Sequence, residues 1–278
     1  MDLGGKMIEL FEQNLRQSDR HSSKGNQLKW ENEGIWYKAD FTGYEGLAEY
    51  VVSNLLIKSS LGKNEYVTYD LEQIKYKRQI FNGAKSKNML TEDWQIITLE
   101  RAYKNAFGGS LYEMIWKIPD VESRLEYLVN TVVRMTGIRE FGTYLAKLLT
   151  IDAVFLNEDR HLHNIAILMN GNMEYKLCPI FDNGGALLSD TKLDYPLSID
   201  VLELMSEVKA KTISPDFDEQ LDAVEKFYGN TIKFYFNKQD VDLLLDKANI
   251  YSNEEIERVR TLIYQQMRKY GNLITDVK

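Results

Sequence analysis

The segment from Phe141 to Gly185 constrains the chain most. Phe141, Tyr144, Leu145, Leu148, Leu149, Asp152, Phe155 and Leu156 recur at steps of three and four, the period of a helix with an apolar face. A helix this apolar must be largely buried. It runs directly into Asn157-Glu158-Asp159-Arg160-His161-Leu162-His163-Asn164, a stretch dense in titratable and amide groups. Ile165 to Met169 then reads as a strand, Asn170-Gly171 as a two-residue type I′ turn, and Met173 to Phe181 as the returning strand, which delivers Asp182-Asn183-Gly184-Gly185. The hairpin therefore brings two polar loops together. Asp152 interrupts the apolar face just before the first loop, where a carboxylate is costly unless it receives hydrogen bonds, so it reads as structural support.

Upstream, Met7 to Leu15 has roughly helical apolar spacing and predicts a short amphipathic helix, followed by a polar loop from Arg16 to Asn26. Leu28-Lys29-Trp30 and Ile35-Trp36-Tyr37-Lys38 flank the turn-like Asn32-Glu33-Gly34 and predict a hairpin. Thr42 to Ile57 predicts a helix, with Thr42 as its cap. Tyr66 to Tyr69 and Tyr76 to Phe81, rich in aromatic and β-branched residues, predict two more strands that close a small sheet before Asn82-Gly83. From Thr98 the pattern is mostly helical, with Val201 to Val208, Phe217 to Tyr228, Val241 to Ala248 and Asn253 to Tyr270 the clearest later segments.

Charge and cysteine content remove several classes of function. The 42 acidic residues outweigh the 34 basic ones for a net charge of −8, which argues against nonspecific attraction to nucleic acid or anionic lipid. Cys178 is the single cysteine, so no intrachain disulfide forms, and with three histidines no zinc-ligand spacing occurs. The thiol, in an apolar strand with no basic neighbour, reads as a buried structural group. The first apolar stretch is cut by Glu9 and Glu12 and fits neither a signal peptide nor a membrane span. A cytoplasmic protein without membrane or direct nucleic-acid contacts is expected.

The two polar loops carry a recognisable order. In protein-kinase chemistry an Asp that accepts a hydroxyl proton stands five residues before an Asn that holds magnesium, and a strand pair then presents a second metal-binding carboxylate followed by glycine. Asp159 and Asn164 have that spacing, and Asp182-Asn183-Gly184 follows the hairpin. Each acid alone reads first as a turn residue or helix cap. The combined order points to chemistry, and carboxylate and amide oxygens suit magnesium.

Asn157 to Asn164, followed by Pro179-Ile180-Phe181-Asp182-Asn183-Gly184, resembles the HipA-like serine/threonine kinases. The family's Asp-Arg-His-x-x-Asn motif is matched in full and so is its second, strand-borne Asp, with the similarity running from about Ser22 to about Phe217. The resemblance implies Asp159 as catalytic base, Asn164 and Asp182 as magnesium ligands, and Arg160 and His161 as supports of the catalytic loop. His163 then faces solvent or substrate. It also implies a compact form without the additional N-terminal subdomain of the longer HipA toxins.

A kinase small lobe needs a lysine for the α- and β-phosphates and a helix glutamate to orient it. Lys38, ending a strand, is the candidate, with Lys29 the alternative if the register shifts. Glu49 on the following helix is its partner, and Glu45, one turn earlier, is the rival. No Gly-x-Gly-x-x-Gly or Walker A motif occurs. Ser22-Ser23-Lys24-Gly25-Asn26-Gln27 reads either as a divergent phosphate loop, with Ser23, Lys24 and Gly25 contacting nucleotide through backbone donors, or as a plain surface loop.

The expectation is an α+β, two-lobed protein-kinase-like fold, with a small β-rich N-lobe over residues 1–83 and a larger helical C-lobe over 84–278. ATP and Mg2+ are the expected cofactors, bound between the lobes, and a protein Ser/Thr hydroxyl is the acceptor. The resemblance adds an antitoxin-type partner and autophosphorylation of Ser22 or Ser23. A small-molecule or lipid acceptor on the same fold, and a nucleotide-sensing module with little turnover, are the competing readings.

Overall fold

Lys29–Asn32 (β2) and Ile35–Ala39 (β3), which bury Trp30, Tyr37 and Ala39, pair as an antiparallel hairpin closed at Glu33-Gly34, both in left-handed conformation with φ of 52° and 77°. This is the two-residue turn whose twist matches paired strands. The computed structural model describes residues 7–16, 27–91 and 93–275. The chain forms two compact units, one of Met1–Asn88, Phe181–Glu207 and Phe234–Lys278, the other of Met89–Ile180 and Val208–Lys233. The division is thus not a single cut near residue 83, because the chain returns twice to pack with its N-terminal segment.

In the first unit, Ile8–Leu10 (β1), Asp70–Tyr76 (β4) and Gln79–Lys87 (β5) join the hairpin in a five-stranded sheet of order β1-β4-β5-β3-β2. Leu10, Trp30, Tyr37, Ala39, Ile74 and Tyr76 form its core. Trp30 is fully buried, its ring set edge-on 5.2 Å from that of Tyr76. The helix expected over Met7 to Leu15 is instead a strand and a short 3-10 turn, Glu12–Asn14. Parallel pairing of Ile8 with Ile74 and Leu10 with Tyr76 buries Leu10, which outweighs a marginal helical period in so short a segment.

Two other strand expectations also shift. Tyr66 to Tyr69 forms no ladder strand, and the strand expected over Tyr76 to Phe81 is split by a two-residue turn at Lys77-Arg78, where Lys77 has φ 57°, so that Tyr76 ends β4 and Gln79 opens β5. Asn82-Gly83 is not the end of the sheet but lies inside β5, with Gly83 opposite Ala39. A Cβ there would stand 2.1 Å from the carbonyl oxygen of Lys38, so the glycine permits a close backbone approach.

Glu45–Leu56 (α1) packs against β5, and ten of its twelve residues are buried. Thr42 does not cap it. Glu45 folds its own carboxylate back to accept the N–H groups of Phe41, Thr42 and Gly43 and the Thr42 hydroxyl, at 2.7–3.1 Å. Val201–Glu207 (α6), Lys238–Leu245 (α8) and Asn253–Lys269 (α9) complete this unit, α9 starting from a Ser252/Glu255 capping box.

In the second unit, Trp94–Thr98 (β6), Ala166–Asn170 (β7) and Tyr175–Leu177 (β8) form an antiparallel sheet beside Leu99–Phe107 (α2), Leu111–Trp116 (α3), Val121–Thr136 (α4), Phe141–Phe155 (α5) and Phe217–Tyr228 (α7). Thr98, Ser110, Asp120 and Asp216 cap α2, α3, α4 and α7. Thirteen of the fifteen residues of α5 are buried. Each large apolar side chain so placed contributes roughly 1.5–3 kcal/mol relative to exposure. Gly142 lets α5 meet α7 closely, since a Cβ would overlap the Tyr228 ring at 2.4 Å.

The β7–β8 connection is longer than the expected two-residue turn. The Asn170 N–H donates to the Glu174 carbonyl, and the Asn170 side-chain oxygen accepts the Asn172 and Glu174 N–H groups, with Met173 at φ 61°. The asparagine acts through its side chain, and the returning strand is only three residues long. Cys178 is buried. Among the described residues no helix is long and apolar enough to cross a membrane.

Candidate functional site

In the first unit, strand β3, helix α1 and the segment opening at Phe181 converge on Lys38. Its Nζ donates to Glu49 Oε1 at 2.6 Å and to Asp182 Oδ1 at 2.7 Å, and lies 5.2 Å from the centre of the Tyr69 ring. The other carboxylate oxygen of Glu49 accepts the Asn183 N–H at 2.9 Å. One buried glutamate thus fixes both the lysine and the backbone after Asp182. Glu45 takes no part, its oxygens being engaged with the loop before α1.

Burial alone would lower the pKa of Lys38, but the carboxylates of Asp182 and Glu49 outweigh it and hold the ammonium well above the usual lysine value. The lysine is therefore charged at any physiological pH. Tyr69 is pushed upward by burial and by Glu49, with Lys38 opposing, and stays neutral. The Asp182 side chain is 31% exposed against 2% for Glu49. Asp182 adopts left-handed backbone at φ 63°, which aspartate tolerates better than most residues.

The catalytic-loop candidates lie in the second unit, where α5 ends at Leu156 in left-handed conformation, φ 53°. Asp152, fully buried on the last turn, accepts Arg160 Nε at 3.1 and 3.2 Å and Asn157 Nδ2 at 2.9 Å. The Asp152 carbonyl accepts the Asn157 N–H. Arg160 in turn donates to the Asn164 carbonyl, while its own carbonyl accepts the Thr212 hydroxyl. Burial raises Asp152 to about 6, with Arg160 opposing, so it is ionised at pH 7 and anchors the loop.

Within that loop, Asn164 Nδ2 donates to the Asp159 carbonyl at 2.8 Å and to Asp159 Oδ2 at 2.9 Å. His161 Nε2 stands 3.6 Å from Asp159 Oδ1, and its ring meets His163 edge-on at 5.5 Å. Burial lowers the pKa of His161, Asp159 opposing. The His163 N–H donates to His161 Nδ1, which leaves Nε2 as the nitrogen facing Asp159. Asp159 thus sits between an amide donor and an imidazole.

Lys38, Glu49 and Asp182 meet in the first unit, and Asp159 and Asn164 meet in the second. Ser22, Ser23, Lys24 and Gly25 lie outside the described residues. Sequence reasoning passed over Asn183, whose backbone ties to Glu49, and Tyr69, which flanks the lysine. It also passed over Thr212, which holds the Arg160 carbonyl. Asn183 could have been flagged by its place between Asp182 and Gly184, whereas nothing in the local pattern marks Tyr69 or Thr212.

No protein-family model and no curated protein matches the chain. Among solved structures it is similar to the crystal structure of a Helicobacter pylori proinflammatory kinase, CtkA, at 15% sequence identity and a TM-score of 0.60, covering 95% of each chain. The fold is therefore a mixed α+β, kinase-like fold.

Proposed function

We propose that the chain is a HipA-like serine/threonine kinase that transfers the γ-phosphoryl group of ATP, with magnesium, to a Ser or Thr hydroxyl of a protein. The observation that carries this reading is the contact of Lys38 with Glu49 and Asp182. A lysine buried between two carboxylates, one on a helix and one before Asn183-Gly184, is costly as mere structure and suits the handling of phosphate charge. Asp182 is the more exposed partner, so it is the one able to release the ammonium toward phosphate and accept a cation instead.

The donor chemistry fits magnesium, which takes oxygen ligands and shares its shell with nucleotide phosphates and water. Asp182 offers a carboxylate. Asn164 has its amide nitrogen engaged by Asp159, so its oxygen is the ligand atom it can supply. Bound ATP and magnesium would supply the transferable phosphoryl group and neutralise the charge on its oxygens. Lys38 binds phosphate oxygen, Glu49 holds Lys38 in place, and Asp159 orients the acceptor hydroxyl and takes its proton as the new P–O bond forms. The bridging oxygen departs with ADP. Arg160, locked on Asp152, keeps the loop in shape, and the work is mainly positioning and electrostatics.

The test is incubation with γ-labelled ATP and magnesium, comparing wild type with Asp159→Ala. Label should pass to protein, in the sample or in a lysate, only with wild type. ATP binding without loss of the γ-phosphate would replace this reading by nucleotide sensing, and label found only on small molecules would replace the protein acceptor.

A further inference from the structure

Beside the catalytic-loop candidates, the second unit holds a cavity of about 430 Å³ lined by Tyr112, Trp116, His161, His163, Lys209 and Lys211, among others. In a chain of net charge −8, this lining contains two lysines, two imidazoles and two aromatic rings, and no carboxylate among the described residues. Its His161 wall is also the neighbour of Asp159, with Nε2 3.6 Å from Oδ1. Whatever occupies the cavity therefore lies beside the carboxylate assigned to the acceptor hydroxyl.

The walls are held from behind. The lysines ride on a loop closed by the Ala210 N–H on the Pro215 carbonyl and fastened to the catalytic loop by the Thr212 hydroxyl on the Arg160 carbonyl. Gln220 Oε1 accepts the Ile213 N–H, and Arg124 donates to the Ile213 carbonyl. The same Arg124 guanidinium lies 4.6 Å from the centre of the Trp116 ring, and Tyr112 packs 5.9 Å from that ring. One arginine thus braces both the aromatic wall and the basic one. Binding here costs little reorganisation.

We propose that this cavity is the acceptor groove and that it selects a peptide whose Ser or Thr is flanked by an anionic side chain, a carboxylate or a phosphate. This inference rests on the kinase reading and names its substrate class. Tyr112, His163, Lys209 and Pro215 are all exposed, so the rim is open to solvent. An extended segment can enter and leave such a trough, whereas small-molecule sites enclose most of their ligand. Lys211 is 3.5 Å from Glu158 and partly neutralised by it. Lys209, solvent-exposed, is therefore the main recognition charge, with Tyr112 and Trp116 offering apolar contact to the peptide.

The experiment uses the full chain and a set of peptides identical except for the residues flanking the serine, which are Glu, phosphoserine, Ala or Lys. Two readouts are taken: kcat/KM with ATP and magnesium, and Kd by fluorescence anisotropy for versions with Ala in place of the acceptor serine. Anionic flanks should improve both by about fivefold over Ala, with the advantage shrinking as salt is raised. Lys209→Glu, a change at an exposed position that spares the Lys211–Glu158 pair, should abolish or reverse the preference. Whether Glu or phosphoserine performs better identifies the anion. Equal values for all flanks, or a preference that survives Lys209→Glu, would overturn the proposal. Charge-selective binding with no peptide phosphorylated at all would sink the kinase reading while leaving the acidic-peptide groove standing.

Discussion

Lys38 and Glu49 face each other across 2.6 Å, and the second oxygen of the same glutamate holds the Asn183 N–H. A single buried carboxylate therefore sets the position of both the lysine on β3 and the backbone that follows Asp182. Glu45, one turn earlier on α1, has the opposite duty and closes the loop that leads into its own helix. Two glutamates of the same helix can thus be told apart by substitution.

On the kinase reading, Glu49→Gln should lower phosphoryl transfer by about a hundredfold, since the Lys38 ammonium loses a fixed counter-charge. Glu45→Gln should instead lower the melting temperature and leave turnover within a few-fold of wild type. Steady-state kinetics beside thermal melts separate the two. Equal kinetic losses in both variants would contradict the division of labour.

Arg160→Met should destabilise the protein by about 3–5 kcal/mol at pH 7, because it leaves the buried Asp152 charge without its partner. Asp152 titrates at about 6 in the folded protein, above the ordinary carboxylate value. Below that pH it takes up a proton and no longer needs the guanidinium. The penalty of the substitution should therefore shrink as the solution is acidified toward pH 5. Urea unfolding across that range measures it, and a pH-independent penalty would refute the coupling.

Asp40 accepts the Gly46 N–H at 2.6 Å and the Tyr251 hydroxyl at 2.8 Å, and burial, aided by Glu45, raises its pKa to about 8. A carboxyl group raised on folding favours the native state fully only below its unfolded pKa. That favour is lost progressively as pH rises through the window up to about 8. Asp40→Asn keeps an acceptor for Gly46 and removes the titration. The variant should melt about 5 °C above wild type at pH 8 and show little difference near pH 4. Melting curves at the two pH values decide it.

Gly83→Ala should cost about 1–3 kcal/mol, since the added methyl meets the Lys38 carbonyl and β5 must move away from β3. On the kinase reading, Lys38 is displaced with its strand and ATP affinity should fall as well. Isothermal titration on the folded fraction checks the second effect. An alanine variant of unchanged stability would show that the two strands can separate freely.

The long helices were legible because their signals are local and long. Phe217 to Tyr228 and the stretch opening at Phe141 repeat their apolar period over three turns or more, so the helix follows from the period alone. The Asp159 to Asn164 spacing belongs to one loop and needs no distant contact to be read. The Glu33-Gly34 turn was legible for the same reason. Short strands failed where their partners lie far away in sequence: Ile8–Leu10 is a strand only because β4 is there to pair with it, and Trp94–Thr98 went unread until β7 lay beside it.

By itself the sequence determined which residues carry charge, which helices have an apolar face, and the order of Asp159, Asn164 and Asp182. Those properties are written within a few turns or one loop of chain. Only the tertiary structure decided that Glu49 rather than Glu45 meets Lys38, since both lie on α1 and the choice depends on what surrounds each carboxylate after packing. It also decided that Tyr69 flanks the lysine, that Thr212 secures the Arg160 carbonyl, and that Gly83 sits inside a strand. Each of these depends on groups far apart in sequence, and a contact of that kind exists only once burial has brought its two sides together.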